Sequence, residues 1–466
     1  MHHLLRAGVG LALLSIAATP TWGASRFIAD PYPSTYSARA AESVLIHNAT
    51  VLTGTGTRLD DADVLLRDGK VVEVGRGLQA DAGVRRLDAR GRWVTPGLID
   101  VHSHLGVYPS PGVGAHSDGN EMTAPVTANV WAEHSVWPQD PGFAEALVGG
   151  VTSLQVLPGS ANLVGGRGVT LKNVPATTYQ AMKFPGAPWG MKMACGENPK
   201  RVYGGKGTAP GTRMGNVAGY RAAFIDASEY IAKNAPKPKR KRWFGGDGSD
   251  SSGDSGGKRD LKLDTLAGAI QGDIRVHIHC YRADEMATML DLADEFGFKV
   301  AAFHHGVEAY KLADRLARDG VCAALWADWW GFKMEAFDGI QENIALVDRP
   351  ANSCAIVHSD SPEGIQRLNQ EAAKVIAAAR RARLPDIAPE RAITWMTANA
   401  ARALGIEAQT GTLEAGKNAD VVVWNGNPFS SYALADQVFI DGHRYYDRAD
   451  PSSKPVSDFR LGQEVR

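Results

Sequence analysis

The sequence predicts an α/β protein built around a parallel sheet, with a smaller β-rich unit assembled from the two ends of the chain. Three observations predict it. Apolar strand-like runs alternate with amphipathic helical runs through the middle, the pattern of parallel strands joined by crossover helices. Short β-rich runs with Asp-Gly turns lie at both ends. Polar residues collect at the C-terminal ends of the strand-like runs, where closed barrels and open doubly wound sheets alike place their sites.

The elements follow in chain order. MHHLLR carries charge, AGVGLALLSIAA is apolar, and TPTWGAS supplies breakers and small residues. That order predicts a secretory signal peptide over residues 1–24, with the mature protein periplasmic or secreted and free of the membrane after cleavage. The apolar run is short for a bilayer span. SVLIHNATVL and ADVLLRDGKVVEVG then read as short strands, and GTLEAGKNADVVVWNGNP and QVFIDGHRYYD repeat that style near the other end. Residues 42–95 and 405–450 are therefore expected to form one small β-sandwich domain. The middle of the chain, running from Trp93 into the expected barrel of residues 96–404, holds the strand candidates WVTPGLIDVHSH, VTSLQVL, GMKMAC, IRVHIHC, KVAAFHH, VCAALWA and CAIVHSD. Helix candidates such as DEMATMLDLADEF and PEGIQRLNQEAAKVIAAAR separate most of them. Residues 236–260, basic and then rich in Gly, Ser and Asp, are expected to be a flexible surface insertion.

At 466 residues the chain has room for one large barrel and a smaller domain. A formal net charge of −1 argues against a nucleic-acid partner and leaves a small molecule as the expected substrate. Cys195, Cys280, Cys322 and Cys354 make an even number, which export would permit to pair. Each lies in or beside an apolar strand-like run, so four buried, reduced thiols are expected.

The histidines decide the chemistry. In TPGLIDVHSHLG an apolar run ends in His102 and His104, two apart and so on one face of a strand. His277 and His279 in VHIHC repeat that spacing, His304 and His305 follow KVAAF, and His358 stands two before Asp360. One such pair could be an ordinary surface or core pair. Several at one rim would repel when protonated and lack partners when buried, and a divalent cation answers both problems.

These residues carry a resemblance. The run TPGLIDVHSH, then His277, His305-Gly306 and Asp360, and the closing GTLEAGKNADVVVW are similar to the amidohydrolase superfamily, more narrowly its imidazolonepropionase-like and prolidase-like members. The resemblance runs from about Glu42 to Tyr446 and implies a (β/α)8 TIM-type barrel flanked by the β-sandwich, with one or two divalent ions, zinc in the first place. It implies His102, His104, His277, His305 and Asp360 as metal ligands. Asp360 would also take a proton from the metal-activated water, and His279 would steady the developing oxyanion. Binuclear relatives often carry a carboxylated lysine, which Lys192 matches. Deacetylase relatives use a glutamate, which Glu197 matches and which is the ligand favoured here. Dimers are common in the family, so a homodimer is expected.

The substrate is less directly written. Trp326, Trp329 and Trp330 near the rim would suit an apolar or cyclic group, and Lys333, Arg282 or Arg201 a carboxylate. The resemblance points to an exported metal-dependent hydrolase of a dipeptide or N-acyl amino acid. A deaminase of a cyclic amidine or aminopurine, and a non-catalytic binding protein, are the alternatives on the same fold.

Overall fold

The computed structural model describes residues 27, 29–235, 258–329 and 331–454. The expected signal peptide, residues 236–257 of the expected insertion, and Trp330 lie outside the described residues. Sixteen strands are labelled in chain order. The first five are β1 (Val44–Leu52), β2 (Arg58–Arg67), β3 (Lys70–Gly75), β4 (Arg85–Asp88) and β5 (Trp93–Pro96). Next come β6 (Leu98–Ser103), β7 (Val151–Val156), β8 (Val164–Lys172), β9 (Gly190–Ala194), β10 (Arg275–His279), β11 (Val300–His304), β12 (Cys322–Leu325) and β13 (Ala355–Val357). The chain closes with β14 (Val421–Trp424), β15 (Ala435–Ile440) and β16 (His443–Asp447).

The strands divide into two sheets. One runs β16-β15-β14-β5-β1-β2-β3 with β4 paired to β1, so strands from both ends of the chain share it. The hinge between sheets is Gly97: β5 pairs with β14 on one side, and β6 opens the second sheet on the other. A Cβ at Gly97 would lie 2.1 Å from Thr152 Oγ1, so only glycine lets the chain pass this close to β7. The buried Lys172 ammonium at the end of β8 is 2.8 Å from Asp441 and 3.7 Å from Asp420, both in the C-terminal part of the first sheet. That ion pair ties the two sheets together.

The second sheet takes its strands in sequence order from β6 to β13 and is a nearly closed barrel. All its pairings are parallel except those of β8, which is antiparallel to both β7 and β9. The cause is the short connection, residues 157–163. A parallel return needs a crossover of a dozen or more residues. Sequence patterning misses β8 because VGGRGVTLK holds three glycines. Those glycines serve a close approach: a Cβ at Gly166 would stand 2.3 Å from the Val130 carbonyl, and Val126 and Trp131 form bridges to β8.

Closure between β13 and β6 is made by side chains and loop backbone. The Asp360 amide donates to the His102 carbonyl at 3.0 Å, and the Ser359 amide donates to Asp100 Oδ1 at 3.2 Å. The Ser359 hydroxyl donates to the other Asp100 oxygen. The end of the last barrel strand is thereby fixed against the end of the first. Helices such as Ala283–Phe296 and Leu368–Arg381 cover the outside, the first burying Met286, Met289, Leu290 and Ala293 against the strands. Asp140 caps the helix Pro141–Val148 through the Gly142 amide and also accepts from the Gly106 amide at 2.8 Å. One carboxylate thus anchors the turn just after His104.

The expectation of four reduced thiols is corrected. Cys195 pairs with Cys280, and Cys322 with Cys354, at Cα separations of 5.2 and 4.5 Å. Register explains both. Ala194 lies opposite His279 and Ala323 opposite Ala355, so the cysteines one residue beyond the first pair and one residue before the second stand side by side. Adjacency of strands is a property of the fold, and spacing along the chain could not reveal it.

Candidate active site

Alternation along the barrel strands aims the candidate side chains inward, and their depth then depends on position along each strand. His102 and His104 leave the end of β6. The Nδ1 of His104 lies 2.9 Å from the Leu157 carbonyl and so carries the proton, which leaves its Nε2 lone pair free. That Nε2 is 3.1 Å from Asp360 Oδ1, and His102 Nε2 is 3.3 Å from the same oxygen. His305 Nε2 is 3.9 Å from Asp360 Oδ2. His305 and Asp360 both hold left-handed backbone, with φ of 65° and 55°. Such conformations cost about 1–3 kcal/mol each and persist where the surroundings dictate them.

Two expected ligands stand elsewhere. Glu197 opens the helix Glu197–Gly204, its amide on Glu335, and lines a neighbouring groove with Arg213 and Arg282. It does not line the histidine pocket. The reason is Gly196, whose φ of 75° turns the chain away from the barrel axis immediately before Glu197. Lys192 comes in instead. It lies deeper, opposite His277 on β10, but its long stem carries Nζ up to 3.4 Å from His102 Nε2.

His277 is the other residue placed away from the rim. It sits two residues below the strand end, fully buried, with Nδ1 2.9 Å from His304 Nε2. His279, one pleat nearer the rim, lines the pocket together with His104, His305 and Asp360. Of the two histidines of β10, His279 is therefore the one that reaches the rim.

Burial pushes the imidazoles of His102, His279 and His305 well below their ordinary range, and that of His358 down to about 4. They are neutral at pH 7 and offer lone pairs. Burial pushes the Lys192 ammonium down to about 7. Burial also pushes the Asp360 carboxyl upward, but the electrostatic influence of His104, His358 and Lys192 around it holds it below the usual carboxylate range. An ionised carboxylate thus faces a set of neutral nitrogen donors.

This set fits a divalent cation. Ligands about 2.05 Å from a shared tetrahedral ion lie about 3.3 Å from one another, close to the spacings around Asp360. Among the described residues, His102, His104 and Asp360 form one group able to hold a metal ion, and His102, His305 and His358 form another.

Comparison with known proteins places the chain. Residues 356–444 match the Amidohydrolase family. The chain is 34% identical over 445 residues to the amidohydrolase tasK of Hapsidospora irregularis, an alignment covering 88% of this chain and 44% of that protein. It thus spans less than half the length of that relative. The crystal structure of an amidohydrolase from Thermotoga maritima MSB8 is 33% identical, with a TM-score of 0.77, covering 87% of this chain and 100% of that one. The chain belongs to the amidohydrolase superfamily. An adenosine deaminase from Xanthomonas campestris solved with bound zinc shares the fold at 18% identity and a TM-score of 0.52, over 89% of this chain and 94% of that one.

Beside the donors lies a cavity of about 620 Å³ walled by Trp326, Trp329 and Phe332. Trp326 stacks on His305 with ring centroids 4.2 Å apart. Lys333 reaches in from the loop after β12, its Nζ 2.9 Å from Asn198 Oδ1 and 3.1 Å from the Tyr281 hydroxyl. Tyr281, Asn198, Tyr108 and Asn120 line the cavity and were not singled out from sequence. Tyr281 was legible: it shares the odd-numbered parity of His277 and His279. Asn120 and Tyr108 sit on loops and Asn198 in the first turn of the helix Glu197–Gly204, positions whose approach to the cavity no periodicity encodes.

Proposed function

We propose that this protein is an exported, metal-dependent hydrolase that cleaves an amide bond in a dipeptide or an N-acyl amino acid. The observation that carries the reading is the meeting of His102, His104, Lys192, His279, His305 and Asp360 at the mouth of the barrel, beside a cavity with an aromatic wall and one cation. A bound divalent ion, zinc by preference for this nitrogen-and-oxygen set, supplies Lewis acidity for the scissile carbonyl and for water. Asp360 accepts the proton of the attacking water and delivers it to the leaving nitrogen. Lys192, its neutral amine accessible near pH 7, would form a carbamate with carbon dioxide, releasing a proton, and the carbamate would offer its oxygens to the donor set. That favours a binuclear centre.

Lys333 supports the substrate class. Its ammonium lies 5.1 Å from the centroid of the Tyr281 ring and 5.5 Å from that of Phe332, partly desolvated, and so is placed for one substrate carboxylate. The aromatic wall suits an apolar side chain. Lys333→Met is expected to raise KM about ten-fold or more for substrates with a free carboxylate and to leave KM unchanged for their carboxamide analogues. Equal effects on both would remove the ammonium from recognition. The two disulfides support the export half of the reading, since such bonds persist in oxidising compartments.

The test is a panel of dipeptides and N-acyl amino acids presented to native, chelator-stripped and zinc-reconstituted protein. Turnover should vanish on stripping and return with Zn²⁺. Turnover indifferent to metal, or none on any member of the panel, rejects the proposal.

A further inference from the structure

Beneath the rim, His102 heads a continuous chain of three buried imidazoles, the other two of which the proposed reaction does not use. His102 Nδ1 lies 2.9 Å from His304 Nδ1, and His304 Nε2 lies 2.9 Å from His277 Nδ1. His277 Nε2 then meets the side-chain amide of Gln155 at 3.5 Å. His102, His304 and His277 are 0% exposed and Gln155 is 1% exposed, so water does not interrupt the chain. The space is built for it: a Cβ at Gly190 would stand 2.7 Å from Gln155 Nε2 and 3.1 Å from the His277 ring.

A neutral imidazole has one N–H and one lone pair, so a chain of three can be polarised in only two senses. In the first, His102 Nδ1–H donates to His304 Nδ1, His304 Nε2–H donates to His277 Nδ1, and His277 Nε2–H points at Gln155. That sense leaves the His102 Nε2 lone pair facing Asp360 and Lys192. The opposite sense puts a proton on His102 Nε2 and closes that nitrogen to a cation. Gln155 selects between them. Its Oε1 is buried and without a partner among the described residues, and amide oxygen and nitrogen are interchangeable by a half-turn. With Oε1 turned to His277, the amide accepts from His277 Nε2–H and the first sense is complete.

We propose that His304 and His277, terminated by Gln155, are positioning residues that lock His102 in the tautomer able to bind the metal. Ligating histidines generally take this support from a carboxylate, carbonyl or water, and its loss costs about 10–100-fold in metal affinity. Here the support is two further imidazoles deep.

The inference rests on His102 being a metal ligand, as proposed above, and the experiment separates the two. Zn²⁺ dissociation constants are measured by chelator competition on wild type, His304→Phe, His304→Gln and Gln155→Leu, with thermal unfolding of each metal-free protein as the folding control. His304→Phe is expected to weaken Zn²⁺ binding about 10–100-fold and Gln155→Leu by less. His304→Gln, which can still accept and donate, should recover most of the affinity. If wild type binds no Zn²⁺, the metal reading and this inference fall together. If wild type binds and His304→Phe matches it, or His304→Gln is no better than His304→Phe, the inference alone falls. A ¹⁵N-histidine spectrum of zinc-loaded wild type decides the matter should His304→Phe not fold. Protons on His102 Nδ1 and on Nε2 of His304 and His277 support the chain, and a proton on His304 Nδ1 overturns it.

Discussion

Asp360→Asn is expected to lower kcat by about 10²- to 10⁴-fold, the range measured for loss of a general base, while leaving the fold intact. In energy this is about 3–5 kcal/mol of transition-state stabilisation. Asparagine is the informative replacement because it changes little else. It tolerates left-handed backbone as aspartate does, so the φ of 55° adds no new strain. The amide of residue 360 still donates to the His102 carbonyl and keeps the barrel closed. What disappears is the negative charge within 4 Å of His102, His104 and His305, and with it the carboxylate assigned to take the proton. Alanine would confound this with backbone strain. Steady-state kinetics on a turned-over panel substrate, with thermal unfolding as control, checks the prediction. Activity within ten-fold of wild type would take proton transfer away from Asp360.

The same residue shows what a one-dimensional reading captures. Two-residue spacing fixes which side chains share a face, so His102 with His104 and His358 with Asp360 were readable before any fold was known. Depth was not readable. His277 and His279 share a face, yet only the second reaches the rim, because depth depends on where β10 stands against its neighbours. Reach misled in the opposite direction at β9. Lys192 looked too deep and Glu197 well placed, but four methylenes lift the ammonium to His102 while Gly196 turns the carboxylate aside. The cysteines and β8 failed for related reasons: one needs strand adjacency, and the other is a strand whose glycines serve packing rather than propensity. The barrel itself was legible because most of its strands do alternate with helices. The exception, the β7–β8 connection, is also where the sheet reverses direction.

The metal-stripped protein is expected to lose most of its stability between pH 7 and about pH 5.5. Burial holds six imidazoles, those of His102, His277, His279, His304, His305 and His358, below the ordinary histidine range. His277 is pushed to about 3 and His358 to about 4. A group whose pKa is depressed by folding adds stability above its unfolded value, about 6.5, and loses it as pH falls. At pH 5.5 each unfolded histidine has gained about 1.4 kcal/mol of protonation free energy that its folded counterpart is denied, so six give about 8 kcal/mol, of which about 1 is already present at pH 7. Asp100 works against this. Burial raises its carboxyl to about 7, so its protonation in the folded protein returns about 2 kcal/mol over the same interval. The net loss, about 5 kcal/mol, is comparable to the whole stability of many domains. Urea unfolding of chelator-treated protein should therefore show its midpoint falling steeply from pH 7 to 5.5. Zn²⁺, binding only the neutral imidazoles of the folded state, should move the fall to lower pH. A midpoint that stays level across this range would mean that the cluster is protonated in the folded protein, which would leave it without the lone pairs that metal binding requires.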